Sequence, residues 1–157
     1  MKIKKDELII SIMIPVAVCV VSSLISGNAM ATFDMVKKPP LSPPGWLFPV
    51  VWTILYVLMG IASYLIYRQG RGREEVEEAL RVYVLQLVFN FFWSIFFFNS
   101  EWYLFSFLWL VALWVLILIM IVRYAKISKV AAYLMIPYLV WVTFAGYLNF
   151  GIFLLNR

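Results

Sequence analysis

Charge is confined to short stretches of this chain, and between them run five segments that carry none. Residues 8–33 form an uncharged run of 26, residues 39–67 one of 29, residues 82–100 one of 19, residues 102–122 one of 21 and residues 130–156 one of 27. An apolar run of about 18 residues or more suffices to cross a bilayer as a helix. All 13 Lys and Arg and all 8 Asp and Glu lie outside the five runs. A charged side chain at the centre of a span costs about 2.5–3.5 kcal/mol, and this segregation is the pattern that such a cost selects. With 65% hydrophobic and 13% charged residues, the chain is far from a soluble domain, which is about 45–50% apolar and about 25% charged. Disorder, which needs low hydrophobicity and high charge, is excluded as well. A transmembrane β-barrel would show strands about half as long with apolar and polar residues alternating. The expected fold is an all-α integral membrane protein, a five-transmembrane-helix bundle in one domain over residues 1–157. Its spans are expected at about 8–26, 45–67, 79–99, 102–123 and 130–155, with a lid loop at about 27–44.

The N-terminal lysines, the apolar stretch and Ala29-Met30-Ala31 imitate a secretory signal with its cleavage site. The apolar core from Leu8 to Ile25 is 18 residues, longer than the 7–15 typical of such signals, so the first span is expected to be retained. Lys2, Lys4 and Lys5, the second loop (Arg68, Arg71, Arg73, with Arg81 at its edge) and the fourth loop (Arg123, Lys126, Lys129) share one side of a five-span protein. Lys37, Lys38 and Arg157 are on the other. Ten against three places the N-terminus inside and the C-terminus outside. The net charge of +5 follows from this asymmetry. Nucleic acid is not an expected partner, because the basic residues are scattered and Glu74, Glu75, Glu77 and Glu78 offset those of the second loop.

The longest loop carries Gly27, Asn28, Asp34 and the prolines Pro39, Pro40, Pro43 and Pro44. Proline fixes φ and holds the preceding residue extended, so the loop is stiff. Phe33, Met35 and Leu41 suit a lid over the end of the bundle; a plain extended connector is the alternative. Pro44 and Gly45 are expected to open the second span, and Asn99-Ser100-Glu101 reads as a tight turn. Pro15 and Pro137 fall inside spans, where neighbouring helices satisfy the carbonyls they free.

The chain has no His, which removes histidine general bases, His-ligated haem and the usual zinc sites. No acidic or basic residue lies at mid-span, where a proton relay or ion pump needs one. The single cysteine, Cys19, reads as a small apolar packer. What remains inside the bundle is aromatic and amide chemistry. Gln86, Asn90 and Trp93 share one face of the third span by their spacing, and an amide such as Asn90 in hydrocarbon must face protein. Pro137, Trp141, Ala145 and Asn149 share a face of the fifth span. Small Ala145 and Gly146 beside Trp141 fit equally well a gap for something flat and close helix packing.

Three linked motifs carry a resemblance. They are Pro43-Pro44-Gly45-Trp46-Leu47-Phe48-Pro49-Val50-Val51-Trp52-Thr53-Ile54-Leu55-Tyr56, followed by Met59-Gly60; Gln86-Leu87-x-x-Asn90-x-x-Trp93; and Pro137-Tyr138-Leu139-x-Trp141-x-x-Phe144-Ala145-x-x-Leu148-Asn149. The chain resembles the translocator protein family, also called tryptophan-rich sensory proteins or peripheral-type benzodiazepine receptors. The resemblance implies a homodimer of five-helix bundles in a lipid bilayer that binds protoporphyrin IX or related tetrapyrroles. It implies a pocket for isoquinoline carboxamide and benzodiazepine ligands, with Pro43, Pro44, Phe48, Trp52, Tyr56, Asn90, Trp93, Trp141, Ala145 and Leu148 as its ligand-binding residues. It also implies an alternative, light- and oxygen-dependent porphyrin degradation with Trp52 and Trp141 as the catalytic residues. No resident cofactor or metal is expected. The cholesterol motif of animal members needs Tyr followed closely by Arg or Lys; here Tyr147 is ten residues from Arg157. That departure argues against cholesterol and for a bacterial-type member. A third reading is a structural subunit whose pocket is incidental.

The orientation is testable by membrane-impermeant thiol labelling in a Cys19→Ala background. Ser100→Cys should label from outside the cell and Gln69→Cys only after the membrane is opened; labelling of both from one side would refute the topology.

Overall fold

The computed structural model describes residues 2–27, 29–70, 72–100 and 102–157. Asn28, Arg71 and Glu101, assigned to loops above, lie outside them. The described residues form helices α1 (Lys5–Ser26), α2 (Ala29–Met35), α3 (Leu47–Tyr67), α4 (Glu74–Ser94), α5 (Tyr103–Ile127) and α6 (Lys129–Leu155). Five of these are long and apolar enough to cross a membrane, and α2 is the short exception. Among the described residues there is no strand.

The helices overrun the apolar runs because a helix does not have to stop where hydrocarbon does. The apolar span was expected at about 79–99, and the charged residues after the second-loop turn were expected to start a helix; α4 does begin there, at Glu74. Glu74, Glu75 and Glu77 occupy its first turn, where negative charge meets the positive end of the helix dipole. At the far end α4 passes into a π-helical turn, Ile95–Asn99. One residue, Ser128, separates α5 from α6, and its hydroxyl accepts from the Ala131 N–H as an N-cap. Arg123 of α5 pairs with Glu78 of α4 near the same end of the bundle.

Around the bundle the neighbours are α1 and α3, α3 and α6, α6 and α5, and α5 and α4; α4 touches α1 lightly and closes the ring. The α1–α3 contact depends on one glycine. A Cβ built on Gly60 would collide with the Ile12 backbone and with the Ser11 carbonyl oxygen. Ser11 is four residues before Pro15, the position whose carbonyl a helical proline leaves unpaired. The Lys4 N–H donates to the Tyr64 hydroxyl at 2.9 Å, a second tie on the same half of α1. Beyond it α1 is thinly covered, with Pro15 and Ser22 its two buried residues.

The segment expected as a stiff loop is in part helical. After α2, Lys38 Nζ donates to the carbonyls of Phe33 at 2.8 Å and Asp34 at 3.2 Å, a favourable cation at a helix C-terminus. The proline strap that follows is fastened to α6. Asn156 takes the Lys37 N–H at 3.1 Å and donates to the Lys37 carbonyl at 2.8 Å. Tyr147 donates to the Pro40 carbonyl at 2.7 Å, and a Cβ on Gly151 would strike the Pro39 ring. The strap turns at Leu41, a non-glycine residue at φ 68°. Helix α3 starts at Leu47, two residues after the expected Pro44-Gly45 opening; a preliminary turn there links the Leu47 N–H to the Pro44 carbonyl.

Gly60→Leu should force α1 away from α3. Overpacking of this kind costs about 1–3 kcal/mol, so thermal unfolding in detergent should fall by about 5 °C. Gly146→Ala should leave the midpoint unchanged, since its new methyl meets Leu110 and Phe107 at 3.7 Å and 4.0 Å.

Candidate ligand cavity

A cavity of about 710 Å³ lies between α1, α3 and α4 beneath α2, within the range of about 300–1,000 Å³ common to small-molecule sites. Helix α1 contributes Cys19, Val20, Ser22, Ser23, Leu24 and Ser26, with Gly27 at its end; Ala31 and Phe33 come from α2. Gly45 and the α3 residues Phe48, Pro49, Trp52, Thr53 and Tyr56 form a second wall. Asn90, Trp93, Ser94 and Phe98 complete it from α4 and its π-helical turn.

The third-span face seen in the sequence is the spine of the site. Gln86, Asn90 and Trp93 are buried and reach across to other helices at three heights. The Tyr56 hydroxyl donates to Asn90 Oδ1 at 2.8 Å, Asn90 Nδ2 donates to the Tyr138 hydroxyl at 2.7 Å, and that hydroxyl donates to Gln86 Oε1 at 2.7 Å. One turn further, Trp93 Nε1 donates to Asn149 Oδ1 at 3.1 Å, and Asn149 Nδ2 donates to the Tyr103 carbonyl at 2.8 Å. The chain of bonds joins α3, α4 and α6 and holds the rings in place. Trp52 is the hub of the aromatic wall, with ring centroids 5.8 Å from Tyr56, 6.3 Å from Trp93, 6.2 Å from Tyr138 and 6.5 Å from Trp141. Phe33 of α2 meets Phe48 edge-on at 4.7 Å and joins the lid to this cluster.

Of the ten ligand-binding residues expected from sequence, Phe48, Trp52, Tyr56, Asn90 and Trp93 converge on the cavity. Trp141 stands behind the wall, edge-on to Phe48 at 5.7 Å, with its indole nitrogen buried and without a partner among the described residues. Ala145 and Leu148 are buried in the bundle and do not line the cavity. Pro43 and Pro44 lie in the approach to α3, outside the lining. The fifth span therefore backs the cavity, because Tyr138 and Trp141 fill the space between α6 and the wall. The α1 serines and Ser94 were not singled out from sequence. Their one signal was spacing, Ser22 and Ser26 being one helical turn apart on the first span.

The fold defines an integral membrane protein of five spans, with an aromatic, largely apolar cavity between three of them. The TspO/MBR family model matches residues 11–155. The chain is 38% identical to the tryptophan-rich protein TspO of Chlorobaculum tepidum, covering 89% of this chain and 94% of that one. It is 36% identical to the protein of the same name from Archaeoglobus fulgidus, over 96% and 97% of the two chains. It is 32% identical to the translocator protein of Ovis aries, over 80% and 75%. The chain belongs to the TspO/MBR family, and that membership supports a membrane sensor or translocator role.

Asn90→Ala should leave the Tyr56 and Tyr138 hydroxyls without their shared partner. An orphaned buried group costs about 1–3 kcal/mol, so thermal unfolding in detergent should shift down clearly, and by more than for Cys19→Ala, which makes no such link.

Proposed function

We propose that this protein binds a planar tetrapyrrole such as protoporphyrin IX in the α1–α3–α4 cavity, in a translocator or sensor role. Isoquinoline carboxamide or benzodiazepine-type ligands would compete for the same space. The observation that carries the reading is the aromatic wall. Trp52, Trp93, Tyr56 and Phe48 stand together on one side of a cavity of about 710 Å³, braced by hydrogen bonds that make no use of a ligand. A flat macrocycle gains from ring contact and from burial at about 25 cal/mol per Å² of apolar surface. The name translocator protein, borne by a relative, agrees with the translocator role. The proposed setting is a homodimer in the cell membrane with the N-terminus inside.

Titration of the detergent-solubilised protein with protoporphyrin IX in the dark, followed by tryptophan fluorescence and porphyrin absorbance, tests the proposal. Saturable quenching is expected, and its absence would overturn the reading. Trp52→Phe keeps most of the ring contact, so its affinity should stay within about tenfold, or about 1.4 kcal/mol. Trp52→Ala removes the hub and should lose more.

A further inference from the structure

We infer that the polar edge of the ligand is held by a hydroxyl row on α1 and α4, Ser22, Ser26 and Ser94. The inference rests on the reading of the cavity as a ring-ligand site and adds the chemistry of the bound edge.

The hydrogen-bond inventory of the cavity points to this row. Asn90 is 2% exposed and is built into the wall, accepting from Tyr56 and donating to Tyr138; its amide carries two N–H groups, so one remains. Trp93 donates to Asn149. Ser23 donates to the Cys19 carbonyl at 2.9 Å and Thr53 to the Pro49 carbonyl at 2.6 Å, so both hydroxyl protons are engaged within their own helices. Ser26 and Ser94 share one hydrogen bond at 3.1 Å. A hydroxyl carries one proton and two lone pairs, so whichever of the two accepts keeps a proton to donate elsewhere. Ser22 is 7% exposed, lines the cavity and makes no hydrogen bond among the described residues. A hydroxyl that lines a cavity without a protein partner can donate its proton to what occupies the cavity. It sits one turn before Ser26, on the same face of α1.

Two uncommitted O–H donors on one edge, facing an aromatic wall, define a ligand class. It is a flat apolar ring carrying carboxyl groups on one side, whose two oxygens accept from the row; hydrogen bonds to an ionised acceptor are the stronger kind.

Two porphyrins test this, mesoporphyrin IX with two propionate groups and etioporphyrin with alkyl groups only. The wild type should bind mesoporphyrin about tenfold more tightly, a difference of about 1.4 kcal/mol. Ser22→Ala/Ser26→Ala/Ser94→Ala should bring the two within about twofold by weakening mesoporphyrin alone. Unchanged etioporphyrin affinity would show the aromatic wall intact. A triple variant that keeps the wild-type preference would overturn the hydroxyl assignment while leaving the porphyrin reading standing. If the triple variant binds neither ring, Ser22→Ala alone decides. Selective loss of mesoporphyrin affinity supports the row, and an unchanged ratio refutes it. Failure of the wild type to bind either porphyrin would overturn the ring-ligand reading and this inference together.

Discussion

Hydrocarbon offers no partner to a polar group, so an amide or hydroxyl inside a membrane bundle that its own helix does not satisfy needs a partner on another helix. In this protein that requirement is met by a short relay, Tyr56 to Asn90 to Tyr138 to Gln86. Each member is apolar enough to be inserted and polar enough to need a specific neighbour. A slip of one residue in α3, α4 or α6 would leave a donor or an acceptor bare. The relay thereby sets the height and rotation of three helices at once, and the placement of Trp52, Trp93 and Trp141 follows from it.

Helix α1 is held by different means. On one half its backbone lies against Gly60, and Lys4 reaches Tyr64. On the other half it faces the cavity, and the Ser26–Ser94 bond links it to α4. One side of the cavity is thus braced by interlocked amides and rings, and the other is a single, lightly covered helix with a proline between its two halves.

The number of spans was legible because exclusion of charge is a global property of each run, insensitive to detail. The inward face of α4 was legible too, since three residues able to hydrogen-bond at helical spacing have one low-energy way to sit in a bilayer. Helix ends were less so. Glu74 to Glu78 fall outside the apolar run, and what marks them as helix is that acidic residues suit the first turns beyond the membrane. The short helix α2 was hidden because a connector's conformation depends on what it rests against, here the Phe33–Phe48 contact. Trp141 shows the limit of motif reasoning. Its position on the face of α6 was visible, but whether it touches the cavity or backs it depends on how deep Phe48 and Trp52 reach. Ser22 and Ser26 gave little sign of themselves, because a serine in an apolar span ordinarily turns its hydroxyl back to its own helix.

The strap after α2 is bolted to α6 at Lys37, Pro39 and Pro40, while the seam between α1 and α4 has the lightest packing in the ring. A cover fixed along one edge yields along the other. For the proposed ring ligand, the way in would then lie beside Val20, Leu24 and Ile25, exposed apolar side chains of α1, and the ligand would come from the lipid. An apolar ring collects in the bilayer by partitioning before it meets the protein. Occupancy would then track the mole fraction of solute dissolved in the membrane, and two rings with equal wall contacts would be ranked by their oil–water partition coefficients.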